Sequence, residues 1–184
     1  MDSNIQMTEM SEVSETSYTS SHEEYKQLYD KWTLYAHLPH DTDWSITSYK
    51  VISQITSVEQ AIAIYNNIPD KMAQNCMMFL MRKNIKPIWE DVNNRKGGSF
   101  SYKVSNKDVP KAWRNLCYHI MGESISTHSK LLTKVNGCTI SPKKNFCIIK
   151  IWLSDCSIQN VQHISDVIGL DKQGVIFKRH NPEY

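Results

Sequence analysis

The chain has 184 residues, 40% hydrophobic and 22% charged, with a formal net charge of +2. That length suits one domain with a sizeable core, and no apolar run is long enough for a membrane-spanning helix. Its five cysteines, an odd count without C-x-x-C or Cys/His zinc spacing, argue against a disulfide scaffold or a zinc module.

Charge is spread unevenly. Residues 1–25 hold six acidic residues and no Lys or Arg, which leaves 21 basic against 13 acidic residues over 26–184, a net of +8. A part that basic favours a polyanion partner such as nucleic acid. The N-terminus has neither the basic segment nor the apolar core of a signal peptide, so a soluble, reduced, cytoplasmic protein is expected. Residues 1–24, rich in Ser, Thr and Glu, bury too little to offset the entropy of ordering. They are expected to form a disordered acidic tail, with the folded domain over 25–184.

In chain order, Lys31–His37 and Tyr49–Ile55 alternate apolar and polar residues as strands do. Ser57-Val-Glu-Gln60 resembles a capping box opening a helix to about Ile68, which Pro69 ends. That helix is apolar almost all round, so Val58 and Ile62 are candidates for an outward apolar patch. Cys76–Met81 reads as a buried strand, and Phe100–Val104, after Gly97-Gly98, as another, with Phe100 a core aromatic. Asp108 is a candidate N-cap with Pro110 in the first turn. Trp113, Leu116, Cys117, Ile120 and Met121 follow at helical spacing up to Gly122. Phe146–Leu153 reads as a strand, Ser157–Ile168 as an amphipathic helix ending at Gly169, and Val175–Lys178 as a short closing strand. Short linkers between these elements favour antiparallel neighbours. The fold class is therefore α+β: one curved antiparallel sheet with three helices on its convex face, leaving the concave face for a ligand.

Lys86-Pro-Ile-Trp-Glu-Asp91 carries the chemistry. An indole at Trp89 can stack on a flat base, and the adjacent Glu90 carboxylate can accept two N–H groups from its edge. Among the common bases only guanine presents such a paired edge. If Trp44 closes the opposite face, the result is an aromatic sandwich suited to a positively charged guanine.

Trp32-Thr-Leu, Trp44, Ser57-Val-Glu, Ile64-Tyr-Asn-Asn-Ile68, Ile85-Lys-Pro-Ile-Trp-Glu-Asp91, Asn94-x-x-Gly-Gly98, Gly122-Glu-Ser124 and Ile151-Trp152 stand in the order and near-spacing of a known family. In these residues, from about Trp32 to His180, the chain resembles the eukaryotic translation initiation factor 4E family, which binds the 7-methylguanosine cap of mRNA. The resemblance implies a cap slot on the concave face, with Trp44 and Trp89 as the sandwich, Glu90 reading the guanine and Trp152 near the N7-methyl group. It implies no cofactor, metal or catalysis. Methylation at N7 makes the base cationic, so stacked indoles should prefer it to plain guanine.

Some family positions differ. The arginine of the Gly-Gly-Arg-Trp segment is Ser99 here, and the second phosphate-binding arginine falls near Lys143, which keeps the charge without the bidentate geometry. Lys144 or Lys150 stands in for the family's next lysine, which aligns with Ile148. On the convex side the family docks a helix of a scaffold or repressor. The matching positions are Val58, Ile62, Arg114 and Tyr118, and Arg114 would reject an apolar anchor, so a partner with a divergent motif is expected. The implied function is recruitment of capped mRNA to translation initiation. The alternative is a repressor-like member that holds the cap without the usual scaffold. An enzyme is disfavoured, because neighbouring carboxylates on an extended segment point apart and Gly122-Glu-Ser-Ile-Ser126 lacks the last glycine of a nucleophile elbow.

Overall fold

The structure, a computed structural model, describes residues 25–182. The acidic tail expected over 1–24 lies outside the described residues. Seven strands form one sheet in the order β2-β1-β3-β5-β6-β4-β7, every neighbouring pair antiparallel. They are β1 Gln27–His37, β2 Tyr49–Ser57, β3 Met77–Arg82, β4 Gly98–Ser105, β5 Val135–Pro142, β6 Phe146–Leu153 and β7 Ile176–Arg179. The helices are α1 Val58–Asn67, α2 Asp70–Asn75, α3 Val109–Met121 and the single turn α4 Ser129–Leu132. The expected curved α+β architecture is the one found. Register breaks between Leu34 and Tyr35 and between Val135 and Gly137 mark irregularities of the kind that bend a sheet.

Local signals explain most boundaries. The Ser57 hydroxyl accepts from the Gln60 N–H, closing the first turn of α1. The Gln60 side chain reaches back one residue further than a capping box requires, accepting from the Thr56 N–H. Asp108 precedes α3 but caps no amide; its carboxylate accepts from the Ser105 hydroxyl instead.

The main core lies between the sheet and the helices. Trp32, Leu34, Ile55, Tyr65, Leu80, Trp113, Leu116 and Ile151 are buried there, with Phe100 among them as expected. A smaller cluster, Phe79, Met81, Ile85 and Trp152, sits on the other face.

Two departures from the sequence expectation stand out. Ser157–Ile168 is not a helix: it runs extended around a single 3₁₀ turn, Val161–His163. Ile164 and Val167 are buried while Ile168 is 63% exposed, and the segment's backbone groups bond elsewhere. The Ser165 N–H donates to the Ile125 carbonyl, and the His163 carbonyl accepts from the Ser126 hydroxyl. Asn160 caps the short turn by accepting from the Gln162 N–H. The second is β5, a strand absent from the sequence reading, where Asn136-Gly137 interrupts the apolar pattern. Gly137 is required there by close approach, since a Cβ would sit 2.1 Å from the Leu80 carbonyl oxygen.

Candidate functional site

Register alone sets out the helix-free face of the sheet. Directly paired residues share a face, so one row runs Met81–Gly137–Trp152–Ser99–Lys178. The next runs Tyr35–Phe79–Thr139–Lys150–Ser101–Ile176. Above these rows lies a cavity of about 710 Å³ whose walls include Trp44, Tyr49, Trp89, Glu90, Lys150 and Trp152. The four residues expected around a guanine therefore line one cavity.

Trp44 reaches the cavity from the loop between β1 and β2 and is 55% exposed. His37 stacks on it, with ring centroids 4.1 Å apart and planes 6° apart. The cavity walls include Trp44 and not His37, so the imidazole backs the indole from behind. His37 Nε2 donates to the Asp43 carbonyl at 2.8 Å, and the Asp43 carboxylate accepts from both the N–H and the hydroxyl of Ser45. These bonds hold the Asp43 carboxyl below its ordinary value, the Ser45 N–H contributing most.

Trp89 and Glu90 sit on a segment organised by one amide. Asn94, 0% exposed, donates to the carbonyls of Lys86 and Ile88, and its own side-chain oxygen accepts from Asn136. Asp91 is a turn residue: its carboxylate accepts from the backbone N–H groups of Lys86 and Asn93. Glu90 is exposed and close enough to Tyr49 across the cavity for its charge to help raise the phenol, an effect second to burial.

Trp152 is 4% exposed, its indole N–H donating to the Thr139 hydroxyl at 3.2 Å. His180 packs against both inner tryptophans, stacked on Trp89 at 5.7 Å and tilted to Trp152 at 4.8 Å. The Asn94 carbonyl can only accept, so the proton is on His180 Nδ1, 2.8 Å away. Each sandwich indole is thus backed by a buried histidine. The sequence offered no motif for either: His37 reads as an ordinary strand end, and His180 marks only the last matching position.

Burial, and then the nearby Lys150 charge, push the His180 imidazole below its ordinary value of 6.5, against the raising effect of its bond to Asn94. The unfolded chain then binds the proton more readily than the native one, so stability is full above about pH 6.5 and falls as pH drops below it. Urea unfolding from about pH 7 down to about pH 5 should show that loss. His180→Gln, which keeps a donor for the Asn94 carbonyl and does not titrate, should show a shallower one.

The basic residues divide. Lys150 is half-buried, lines the cavity and lies 5.6 Å from the Trp89 ring centre. Lys143 is exposed on the β5–β6 turn, its backbone N–H donating to the Phe146 carbonyl. Lys144 is exposed and not part of the cavity wall.

On the other face, Val58 lines a second groove of about 740 Å³ with Lys26, Leu28, Met121, Gly122 and Glu123. Ile62, one turn on, is 47% exposed. Arg114 borders a separate small recess beside Tyr65 and Trp113, and Tyr118 meets Tyr65 edge-to-face. The four residues thus flank α1 and α3 without sharing one pocket. Sequence reading passed over Arg82 in that groove. It donates to both Asp30 and Glu123 and lies 4.5 Å over the Trp32 ring. Among the described residues, no helix is long and apolar enough to cross a membrane, and no cluster of three or more metal-ligating side chains occurs.

Comparison with known proteins gives one family. The family model Eukaryotic initiation factor 4E matches residues 27–183. Eukaryotic translation initiation factor 4E of Candida albicans is 27% identical over 194 residues, covering 96% of this chain and 91% of that protein. The Eremothecium gossypii protein of the same name is 32% identical over 68% of this chain, and the match spans 61% of its length. The human one is 25% identical over 76% of this chain and 66% of its own. Among solved structures, a complex of C. elegans eIF4E-3 with the 4E-binding protein Mextli and cap analog superposes with a TM-score of 0.65. It is 24% identical, covers 73% of this chain and 77% of that one, and supports the fold.

Proposed function

The chain belongs to the eukaryotic initiation factor 4E family, and from that premise we propose that it binds the 7-methylguanosine cap of mRNA and serves translation initiation in the cytoplasm, without catalysis. The base enters between Trp44 and Trp89, Glu90 accepts from its N1–H and N2–H edge, and Trp152 packs near the N7-methyl group. The observation that carries this is the single cavity onto which Trp44, Trp89, Glu90 and Trp152 all open. A desolvated cation–π contact contributes about 2 kcal/mol, base–aromatic stacking about 1–3 kcal/mol, and hydrogen bonds to a charged carboxylate about 1.5–3 kcal/mol. Plain guanine lacks the cation–π part, which gives the methylated base its advantage. Lys150 faces the phosphates from inside the slot, with Lys143 and Lys144 on the adjoining turn.

A scaffold or repressor helix docks on the helix-bearing face, through the Val58 groove and the exposed Ile62. Solved relatives with a bound 4E-binding protein support a partner of this kind. Arg114 and Tyr118 beside it select a partner whose motif departs from an all-apolar anchor. That altered surface is also what supports the repressor-like alternative, in which the cap is held without the usual scaffold.

Titration of tryptophan fluorescence with 7-methyl-GTP and with GTP tests the cap site. The methylated ligand should quench and plain GTP should bind at least about tenfold more weakly, matching the cation–π difference. Glu90→Ala should abolish that quenching. Equal weak quenching by both nucleotides would refute the sandwich.

A further inference from the structure

Trp44 stands between the cavity and a side chain that can gain a charge. His37, at the end of β1, is buried and lies flat against the back of the indole, its ring plane within 6° of parallel. Its Nε2 proton is committed to the Asp43 carbonyl, so a second proton goes to Nδ1 and leaves that bond in place. Nothing in the stack has to move for the imidazole to become an imidazolium.

The groups around His37 do little to cancel such a charge. From β2 its register partner Tyr49 presents a ring edge at 5.3 Å; burial, and then the Glu90 charge, raise that phenol and keep it neutral. From β3 the register partner is Met77, which carries no charge. The Asp43 carboxylate feels the imidazolium, but it also feels Lys50, accepts from Ser45 and is exposed to screening solvent. An indole attracts a cation through its negative faces, and both faces belong to one ring. A positive charge behind the ring therefore opposes a cationic base in front of it and leaves a neutral base almost untouched.

We propose that His37 is a positioning residue for Trp44 that also sets base selectivity. Uncharged, it holds the indole ready for a cationic base; protonated, it repels that base across the ring. This rests on the cap-binding reading for the identity of the base. The advantage of methylated over plain guanine then shrinks as pH falls through the range of about 8 to 5, in which an imidazole gains its charge.

The test compares wild type with His37→Phe, which keeps a stacked ring and does not titrate. Affinities for 7-methyl-GTP and GTP are taken at about pH 7 and about pH 5.5, and their ratio is read, so that changes common to both ligands cancel. In wild type the ratio should fall about fivefold at the lower pH. In His37→Phe it should fall less, the remainder reporting other groups such as His180, and 7-methyl-GTP affinity at about pH 7 should stay within about threefold of wild type. An equal fall in both proteins would overturn the proposal while leaving the cap site standing. A wild type with no preference for the methylated base at either pH would sink the cap reading and the selectivity role with it. The stack is then judged without ligand. An imidazolium quenches an indole it touches, so fluorescence of the free protein should drop as pH falls. The drop should be smaller in both His37→Phe and Trp44→Phe, the latter at an exposed loop position outside the core. The same drop in all three proteins would overturn the positioning role.

Discussion

Trp89→Ala is expected to weaken 7-methyl-GTP binding by at least about a hundredfold while leaving the thermal transition little changed. Removing this indole takes away its stacking, about 1–3 kcal/mol, and its share of the cation–π attraction, up to about 2 kcal/mol. The side chain is only half-buried and packs on the minor cluster rather than the main core, so folding should tolerate its loss. Trp44→Ala should cost less. Trp44 is 55% exposed and stands on a loop, so part of its binding energy is offset by ordering that loop around the ligand. Fluorescence titration of both variants checks the order. Equal affinities for wild type and Trp89→Ala would rule out the sandwich.

Asn94→Ala should be the most destabilising substitution near the site. It orphans the carbonyls of Lys86 and Ile88 and removes one partner of Asn136, all at a residue without solvent contact. Each buried polar group left unsatisfied costs about 1–3 kcal/mol, so a loss of about 3 kcal/mol is expected. At about 2–4 °C per kcal/mol for a chain of this size, the midpoint should fall by about 6–12 °C in a thermal melt followed by circular dichroism. The same variant should bind 7-methyl-GTP more weakly, because the segment that aims Trp89 and Glu90 loses its anchors. A melt unchanged within about 2 °C would mean that the segment is held by its turn and not by the amide. Asn94→Asp should be no rescue, since a carboxylate cannot donate to two carbonyls.

Much of the cap-site chemistry is local and therefore legible. Trp89 and Glu90, an indole followed by a carboxylate behind a proline, are neighbours in the chain, and both line the cavity. Alternation marked β1, β2, β4 and β6, and the Ser57 cap and Pro69 bracketed α1, because the bonds that set these boundaries lie within a few residues. Ser157–Ile168 shows the limit. Its apolar spacing fits a helix, yet its N–H and C=O groups bond to Ile125 and Ser126 across the fold, and spacing cannot report where a backbone donor goes. β5 was hidden for the opposite reason: the glycine that breaks its pattern is there to let two strands approach.

The sequence by itself determined the family, the strand-rich α+β class and the tryptophans and glutamate that face one cavity, since each rests on residue type and order along the chain. Tertiary structure decided what stands behind and beside them. His37 stacks on Trp44, His180 backs Trp89 from beyond β7, and Asn136 of β5 donates to the Asn94 amide that holds the carbonyls of Lys86 and Ile88. The contacts of His180 and Asn136 join residues far apart in sequence, and the register of a sheet, fixed by the whole core, decides which side chains share its face.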